Sequence, residues 1–384
     1  MNDSVKLQKL IEILIQKNYF STNKYNPKIV IDAASSVGIA DSHLINIINQ
    51  LVNSGDLVFQ YDPDPQLHPM DKLDFWRIDL TEKGRQYFCK NNPLEKLHVT
   101  IKFNKNSADF LNETLSLLEK REAEYSLMLG LCELKKEANQ LDDKSIYASV
   151  YDYNQHLIGG MLITERSLVI SEFADAILKQ IADFLFISNI KIPAVVGPAH
   201  TSETFSYYWS QLTKKSYTLA MGQKIYQLDK VIQPKNFTGN IIVATDQYTE
   251  LIAEWLLKFN IESLPHEPTT IKKTHELAAL KISRSEIYLW LDADNKPVSM
   301  NIVSRPTQNG ISISGVYTPI ESRKMGYASS LVAATSQMML DSGKKFCVLY
   351  TDIKNPTSNK IYQNIGYKEI ATSQHYIFES ERNV

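Results

Sequence analysis

Cysteine is nearly absent from this chain: Cys89, Cys132 and Cys347 are the only three in 384 residues. An odd and widely spaced set excludes a disulfide framework. No group of His and Cys has ligand spacing, so no metal site is expected. No apolar run approaches the ~20 residues of a membrane span, and the opening Met1-Asn2-Asp3-Ser4-Val5-Lys6 carries no signal-like apolar segment. Neither sign of charge dominates, with 41 Lys and Arg against 43 Asp and Glu and a net charge of −2. A general pull toward nucleic acid or a membrane surface is therefore missing. These absences read together as a cytoplasmic protein. With 43% hydrophobic residues, the chain is globular, and its length suggests two or three domains.

What is present concentrates in residues 311–367. A β-rich run at 311–318 is closed by Pro319, which has no amide hydrogen to continue a ladder. The turn Arg323-Lys324-Met325-Gly326-Tyr327-Ala328 follows, and then an apolar helical run to about residue 340. A strand, a loop and a helix N-terminus in that order make an anion site, because free backbone N–H groups converge where the helix dipole is positive. Gly326 permits close approach to the backbone, and Arg323 and Lys324 add charge. A pyrophosphate is the natural ligand. Downstream, Phe346-Cys347-Val348-Leu349-Tyr350-Thr351-Asp352 reads as a buried strand, and Asn355-Pro356-Thr357-Ser358-Asn359-Lys360-Ile361-Tyr362-Gln363-Asn364-Ile365-Gly366-Tyr367 follows it.

Arg323, Gly326 and Ala328 resemble the acetyl-CoA signature of the GCN5-related N-acetyltransferases, and Asn355, Ser358, Tyr362, Gly366 and Tyr367 resemble that family's second signature. The resemblance implies a fold and a chemistry, namely attack of an amine on the thioester of acetyl-CoA. The backbone N–H groups of Val316 and Thr318 would bind the acetyl and pantetheine carbonyls where two parallel strands splay, with Gly315 easing a bulge. Residues 323–328 would hold the pyrophosphate, and Asn355 and Ser358 would meet the CoA arm; an Asn before Pro is also an ordinary helix start. Tyr362 would protonate the departing thiolate or hydrogen-bond the CoA sulfur, or else be a packing aromatic. The central strand has no carboxylate to serve as base. Glu267 is the leading candidate; His266, Glu321 and a water relay remain open.

Upstream, residues 96–236 read as strand, two helices broken near 119–124, a hairpin around 154–156, a third strand, helix, strand, helix, strand. That order resembles an acetyltransferase domain repeated ahead of residues 237–384, where strand 240–245, a helix capped by Asp246 and a helix over 270–283 precede the hairpin around 293–296. The upstream part lacks the phosphate signature: Ser171-Glu172-Phe173-Ala174-Asp175 stands in its place, and its carboxylates would repel a pyrophosphate. With Val196-Gly197-Pro198 and Tyr226-Gln227-Leu228, this part resembles the degenerate first half of a tandem, FR47-like subfamily. Residues 1–95 read as three short helices, including 27–36 and one over 44–52, two wing strands at 57–61 and 75–80, and a segment at 81–88 resembling the entry to a last helix. This suggests a winged helix. Its would-be recognition stretch, residues 42–50, has no Lys or Arg, which counts against DNA binding.

The expected architecture is α+β: a winged-helix-like domain over 1–95, a degenerate acetyltransferase-like domain over 96–236 and a catalytic one over 237–384. The expected function is N-acetylation of a primary amine, on a protein or a small molecule. The rival expectation is a regulatory protein that senses acetyl-CoA without turnover and uses the winged helix to bind a partner or DNA.

Overall fold

The computed structural model describes residues 10, 13–14, 27–39, 57–61, 76–80, 99–137, 144–152, 154–234 and 238–379. Two compact units are formed, residues 1–101 with 151–156, and residues 102–150 with 157–384.

In the first unit, helix α1 (Pro27–Ser36) starts on a proline, whose fixed φ suits a first helical turn. Past its end, Gly38 turns left-handed at φ 75 and the Ile39 N–H bonds back to the Ala34 carbonyl at 2.9 Å, a common way to satisfy a terminal carbonyl. Strands β1 (Leu57–Tyr61) and β2 (Trp76–Leu80) pair antiparallel, with Leu57 opposite Leu80. The helices expected over 44–52 and 81–88 lie outside the described residues.

The second unit carries a sheet of twelve strands. In chain order its elements are β3 (Thr100–Asn104), α2 (Ser107–Leu118), α3 (Ser126–Glu137), β4 (Ile146–Tyr151), β5 (Leu157–Ile163), β6 (Leu168–Ile170), α4 (Asp175–Ile187), β7 (Ala194–Pro198), α5 (Ala199–Thr213) and β8 (Tyr217–Leu228). The same succession of types then recurs: β9 (Asn240–Val243), α6 (Thr249–Ser263), α7 (Ile271–Ser283), β10 (Ile287–Leu291), β11 (Pro297–Ser304), β12 (Gly310–Tyr317), α8 (Tyr327–Asp341), β13 (Phe346–Asp352), α9 (Pro356–Asn364) and β14 (Lys368–Phe378).

The strand order is β3-β4-β5-β6-β7-β14-β8-β13-β12-β11-β10-β9. From either edge it runs through five strands of one series and then the last strand of the other. The final strands have changed places: β14 pairs antiparallel with β7, β8 pairs antiparallel with β13, and the two exchanged strands pair with each other. Strand β8 is the last strand expected of the first series, whereas no strand is expected over 368–378, and the exchange leaves no local signal in the sequence.

Strand β10 shows how the layers form. Ile287 and Leu289 face α6 and α7, packing with Ile252, Trp255, Ala278 and Ile282, whereas Tyr288 and Trp290 face the other side with Leu331, Val332 and Tyr362. This alternation follows from the two-residue period of a strand. Helix α7 takes Thr270 as its N-cap, whose side chain accepts from the Lys273 N–H. Asp246, expected to cap α6, instead opens a short 3-10 turn over Asp246–Tyr248, and its carbonyl accepts from the Thr249 hydroxyl at 2.8 Å.

A buried carboxylate joins the α2–α3 connection to the β11–β12 turn. Glu122 is 7% exposed and accepts from the Asn309 backbone N–H and side-chain amide, both at 2.7 Å. Burial pushes its pKa up, but the hydrogen bonds from Thr307, Asn309 and the Gly310 backbone outweigh burial, and the net value is lowered. A carboxylate with a depressed folded pKa contributes stability above its unfolded pKa and loses it as pH falls through the folded one. Glu122→Gln should therefore lower stability near neutral pH by about 1.5–3 kcal/mol, the range for hydrogen bonds to a charged group. In denaturant melts the gap to the parent chain should shrink as pH drops below the ordinary carboxylate value of 4.5; a gap independent of pH would contradict the assignment.

Candidate functional site: the parting of β12 and β13

Strands β12 and β13 run parallel and pair at Gly310 with Phe346, Ile311 with Cys347 and Ser312 with Val348. Beyond Ser312 and Val348 they part. On its other edge β12 follows β11, but Met300 stands opposite Tyr317 and Ile302 opposite Ser314. Gly315 and Val316 thus share the single partner Asn301, which is a β-bulge. Gly315 takes φ 57 there, and a Cβ on it would meet Ile302 Cδ1 at 2.9 Å. Only glycine fits both demands. Asn301 is buried and donates to Thr335 Oγ1 at 3.0 Å, which fixes the bulged segment to helix α8.

Val316 and Thr318 stand at this parting, both half-buried. The Thr318 hydroxyl lies 2.9 Å from Ser299 Oγ, and the Ser299 hydroxyl donates to the Tyr317 carbonyl at 3.1 Å. Ser299 was not singled out from sequence, because a serine inside a strand pattern carries no local signal.

The chain then turns into α8 through the expected loop. Gly326 is the N-cap residue at φ 86, ψ −3, with no side-chain cap, and open space surrounds the position of a Cβ. The N–H groups of Tyr327 and Ala328 at the helix start face no preceding turn. Lys324 is exposed, adopts φ 65 and forms no ion pair among the described residues. Met325 is 64% exposed. Arg323 points elsewhere: its Nε donates to the Thr318 carbonyl at 2.8 Å, its Nη2 donates to Glu262 at 2.7 Å, and its guanidinium lies 5.7 Å from the Tyr317 ring centroid. It braces the loop against the strand end and against α6.

On α9, Asn355 caps the helix by accepting from the Ser358 N–H at 3.0 Å, so its side-chain oxygen is committed locally. Tyr362 is 8% exposed. Its ring lies 6.0 Å from Tyr367 and 6.5 Å from Tyr226, which the exchanged strand β8 supplies. The hydroxyl has no hydrogen-bond partner among the described residues, and burial pushes its pKa up to about 12.

Glu267 sits on the α6–α7 loop. One oxygen lies 3.7 Å from His266 Nε2 and the other 3.7 Å from Arg166. His375 of β14 packs edge-on to His266, with ring centroids 5.5 Å apart. Desolvation lowers the His375 pKa.

The first series has its own parting. Strands β6 and β7 pair only at Leu168 with Val195 and Val169 with Val196, but β6 keeps regular register with β5 and has no bulge. A Cβ on Gly197 would meet the Ile170 carbonyl oxygen at 2.5 Å, so β7 lies hard against the end of β6. A cavity of about 410 Å³ opens nearby, lined by Arg121, Glu124, Tyr125, Glu172, His200 and Tyr350 among others. Its charged groups already have partners: Arg121 bridges Glu124 and Glu172, and His200 lies 2.8 Å from Asp175. Glu172 and Asp175 stand at the start of α4, where a phosphate would meet like charge.

Residues 302–377 match the family described as FR47-like protein, a stretch from within β11 into β14 that holds the bulge, the α8 loop and Tyr362. Among solved structures, a Drosophila protein aligns over 73% of this chain and 98% of its own at 9% identity, with a TM-score of 0.51. A GCN5-related N-acetyltransferase from Sphaerobacter thermophilus aligns over 73% of this chain and 95% of its own at 13% identity, with a TM-score of 0.49. A tandem GNAT protein from the clavulanic acid biosynthesis pathway aligns over 74% of this chain and 100% of its own at 8% identity, with a TM-score of 0.44. No curated relative matches the chain. At these identities the likeness concerns the mixed α/β fold.

Gly326→Asp tests the anion site. Aspartate is favoured at a helix N-cap, which limits the strain of a left-handed backbone at φ 86 to about 1–2 kcal/mol, so the protein should stay folded. If this loop holds a phosphate of acetyl-CoA, the new carboxylate should repel it by about 3 kcal/mol and weaken binding roughly 100-fold at an effective dielectric near 20. Unchanged affinity by isothermal titration would remove the site from this loop.

Proposed function

We propose that the chain is an acyltransferase that moves the acetyl group of acetyl-CoA to a primary amine at the parting of β12 and β13. One observation carries this reading: parallel strands separate at a glycine-dependent bulge directly before a glycine-capped helix N-terminus. The first feature exposes backbone groups to a thioester arm, and the second offers N–H groups to its pyrophosphate. The FR47-like match over the same residues supports it.

In this reading the backbone N–H groups of Val316 and Thr318 bind the acetyl and pantetheine carbonyls, and the first of these stabilises the developing oxyanion. Met325, Gly326, Tyr327 and Ala328 supply the phosphate loop, with Lys324 as its cation and Arg323 as its brace. Asn355 and Ser358 shape the start of α9 beside the CoA arm. The amine nitrogen forms a bond to the acetyl carbon, the carbon–sulfur bond breaks, and the departing thiolate takes its proton from water while the Tyr362 hydroxyl donates a hydrogen bond to the sulfur. A phenol held near 12 stays protonated through neutral pH and so remains a donor to that sulfur. The proton lost by the amine passes to water, because Glu267 already faces Arg166 and His266. The recurring element order and the paired charges of the first parting support a tandem acetyltransferase-like arrangement in which the first series shapes the site and does not bind acetyl-CoA. The exchanged strand β8 is how it does so.

Isothermal titration of the full chain should then give one acetyl-CoA per chain; two would refute the inactive first parting. Tyr362→Phe should keep that affinity and lower amine-dependent CoA release about 100-fold, as loss of one hydrogen-bond donor to developing charge does. In the parent chain kcat should persist through pH 10.0, the ordinary phenol value, because the Tyr362 proton is held to about 12. Parent-like turnover in the phenylalanine variant would leave Tyr362 a packing residue. Binding without CoA release from any amine would make the chain a sensor.

A further inference from the structure

The acceptor-side loop and the exchanged strand bring together a set of side chains that the sequence kept far apart. His266 and Glu267 lie on the α6–α7 loop, held in a turn by the Glu267 N–H donating to the Leu264 carbonyl at 2.8 Å. His375 lies on β14, opposite Val196 of β7 and Met221 of β8. One ligand atom from each of the three falls within 4.8 Å of the others. We propose that His266, Glu267 and His375 form a binding site for a divalent transition-metal ion of the zinc type, which fastens the α6–α7 loop to β14.

Three observations carry the assignment. The first is the donor set: two imidazoles and one carboxylate suit Zn²⁺, and three protein ligands leave a fourth position to water. The second is an unmet need. His266 Nε2 is buried and has no hydrogen-bond partner, and its approach to Glu267 at 3.7 Å is too long for a hydrogen bond. A buried polar atom without a partner costs free energy, and a metal would satisfy this one. The third is the availability of the carboxylate. Arg166 lies 3.7 Å from Oε2 of Glu267 and His266 Nε2 lies 3.7 Å from Oε1, both too long for a hydrogen bond, so the inner oxygen is left available to a cation. In a tetrahedral site with bonds of ~2.1 Å the ligand atoms stand about 3.4 Å apart. The His266–Glu267 spacing of 3.7 Å is close to that, and the His375 ligand atom lies within 4.8 Å of both, so binding draws the three together.

The other described histidine–carboxylate contacts differ in kind. His275 with Glu250 at 2.9 Å, His200 with Asp175 at 2.8 Å and His156 with Asp152 at 3.4 Å are pairs with exposed histidines, and none joins a third ligand. Local spacing could not reveal the site, because His375 comes from a strand that reaches this loop only through the exchange.

The test uses the full chain, stripped with chelator and titrated with ZnCl₂ by calorimetry and with CoCl₂ by visible absorption. The expected result is one Zn²⁺ per chain, the intense bands of tetrahedral Co²⁺ and a higher melting temperature with Zn²⁺. Loss of even an outer-shell partner typically costs ~10–100-fold in affinity, so His266→Ala and His375→Ala should each weaken Zn²⁺ at least tenfold and abolish the melting shift. Glu267→Gln, an exposed-loop change that spares the sheet, should do the same, and His275→Ala should bind as the parent does. Failure of the parent chain to take up either metal would overturn the proposal. So would equal affinity in the parent and the Glu267→Gln and His375→Ala variants, which means adventitious surface binding only.

Discussion

Two parallel strands that stop pairing create the demand that the rest of this structure meets. Once β12 and β13 separate after Ser312 and Val348, their facing backbone groups need other partners, because buried peptide groups without hydrogen bonds are costly. The bulge at Gly315 and Val316 turns β12 aside, and Asn301 locks the turned segment to α8 through Thr335. Strand β13 would have no reason to stay extended past Val348 on its own. It does so because β8 pairs with it from Cys347 through Asp352. The exchange of final strands is thus more than a way to join two series: it holds the far wall of the parting in place, and it delivers Tyr226 beside Tyr362.

The two partings show how similar backbones are given different chemistry by a few residues. At the second, the helix start presents a bare glycine, and Lys324 lacks an ion-pair partner among the described residues. At the first, carboxylates occupy the helix start, Glu172 paired with Arg121 and Asp175 in contact with His200, while Gly197 lets β7 close against Ile170. An anion would have to displace established ion pairs at the first parting, whereas at the second it meets unspent N–H groups.

Legibility in the sequence followed the range of the forces involved. The strand at 346–352, the helix after Asn355-Pro356 and the glycine-capped turn at 326 rest on local steric and hydrogen-bonding rules, and they stand where those rules put them. The Gly315 bulge was legible for the same reason. Strand β14 was not, because Lys368-Glu369-Ile370-Ala371-Thr372-Ser373-Gln374-His375 lacks apolar alternation; cross-strand pairing with β7 and β8 makes it a strand. The partners of Arg323 were hidden likewise. Its charge beside a glycine loop reads as phosphate binding, whereas Glu262 and the Thr318 carbonyl, brought near by folding, take up its donors. The proximity of His375 to His266 depends on that same unread strand.

Backbone amide hydrogen exchange of the full chain, with and without saturating acetyl-CoA, tests the central claim most directly, since it reads which parting receives the thioester arm. The account predicts slowed exchange across residues 315–329, with smaller protection at 355–359 and none at 170–178. Protection confined to 170–178, or unchanged exchange at 315–329, would contradict it.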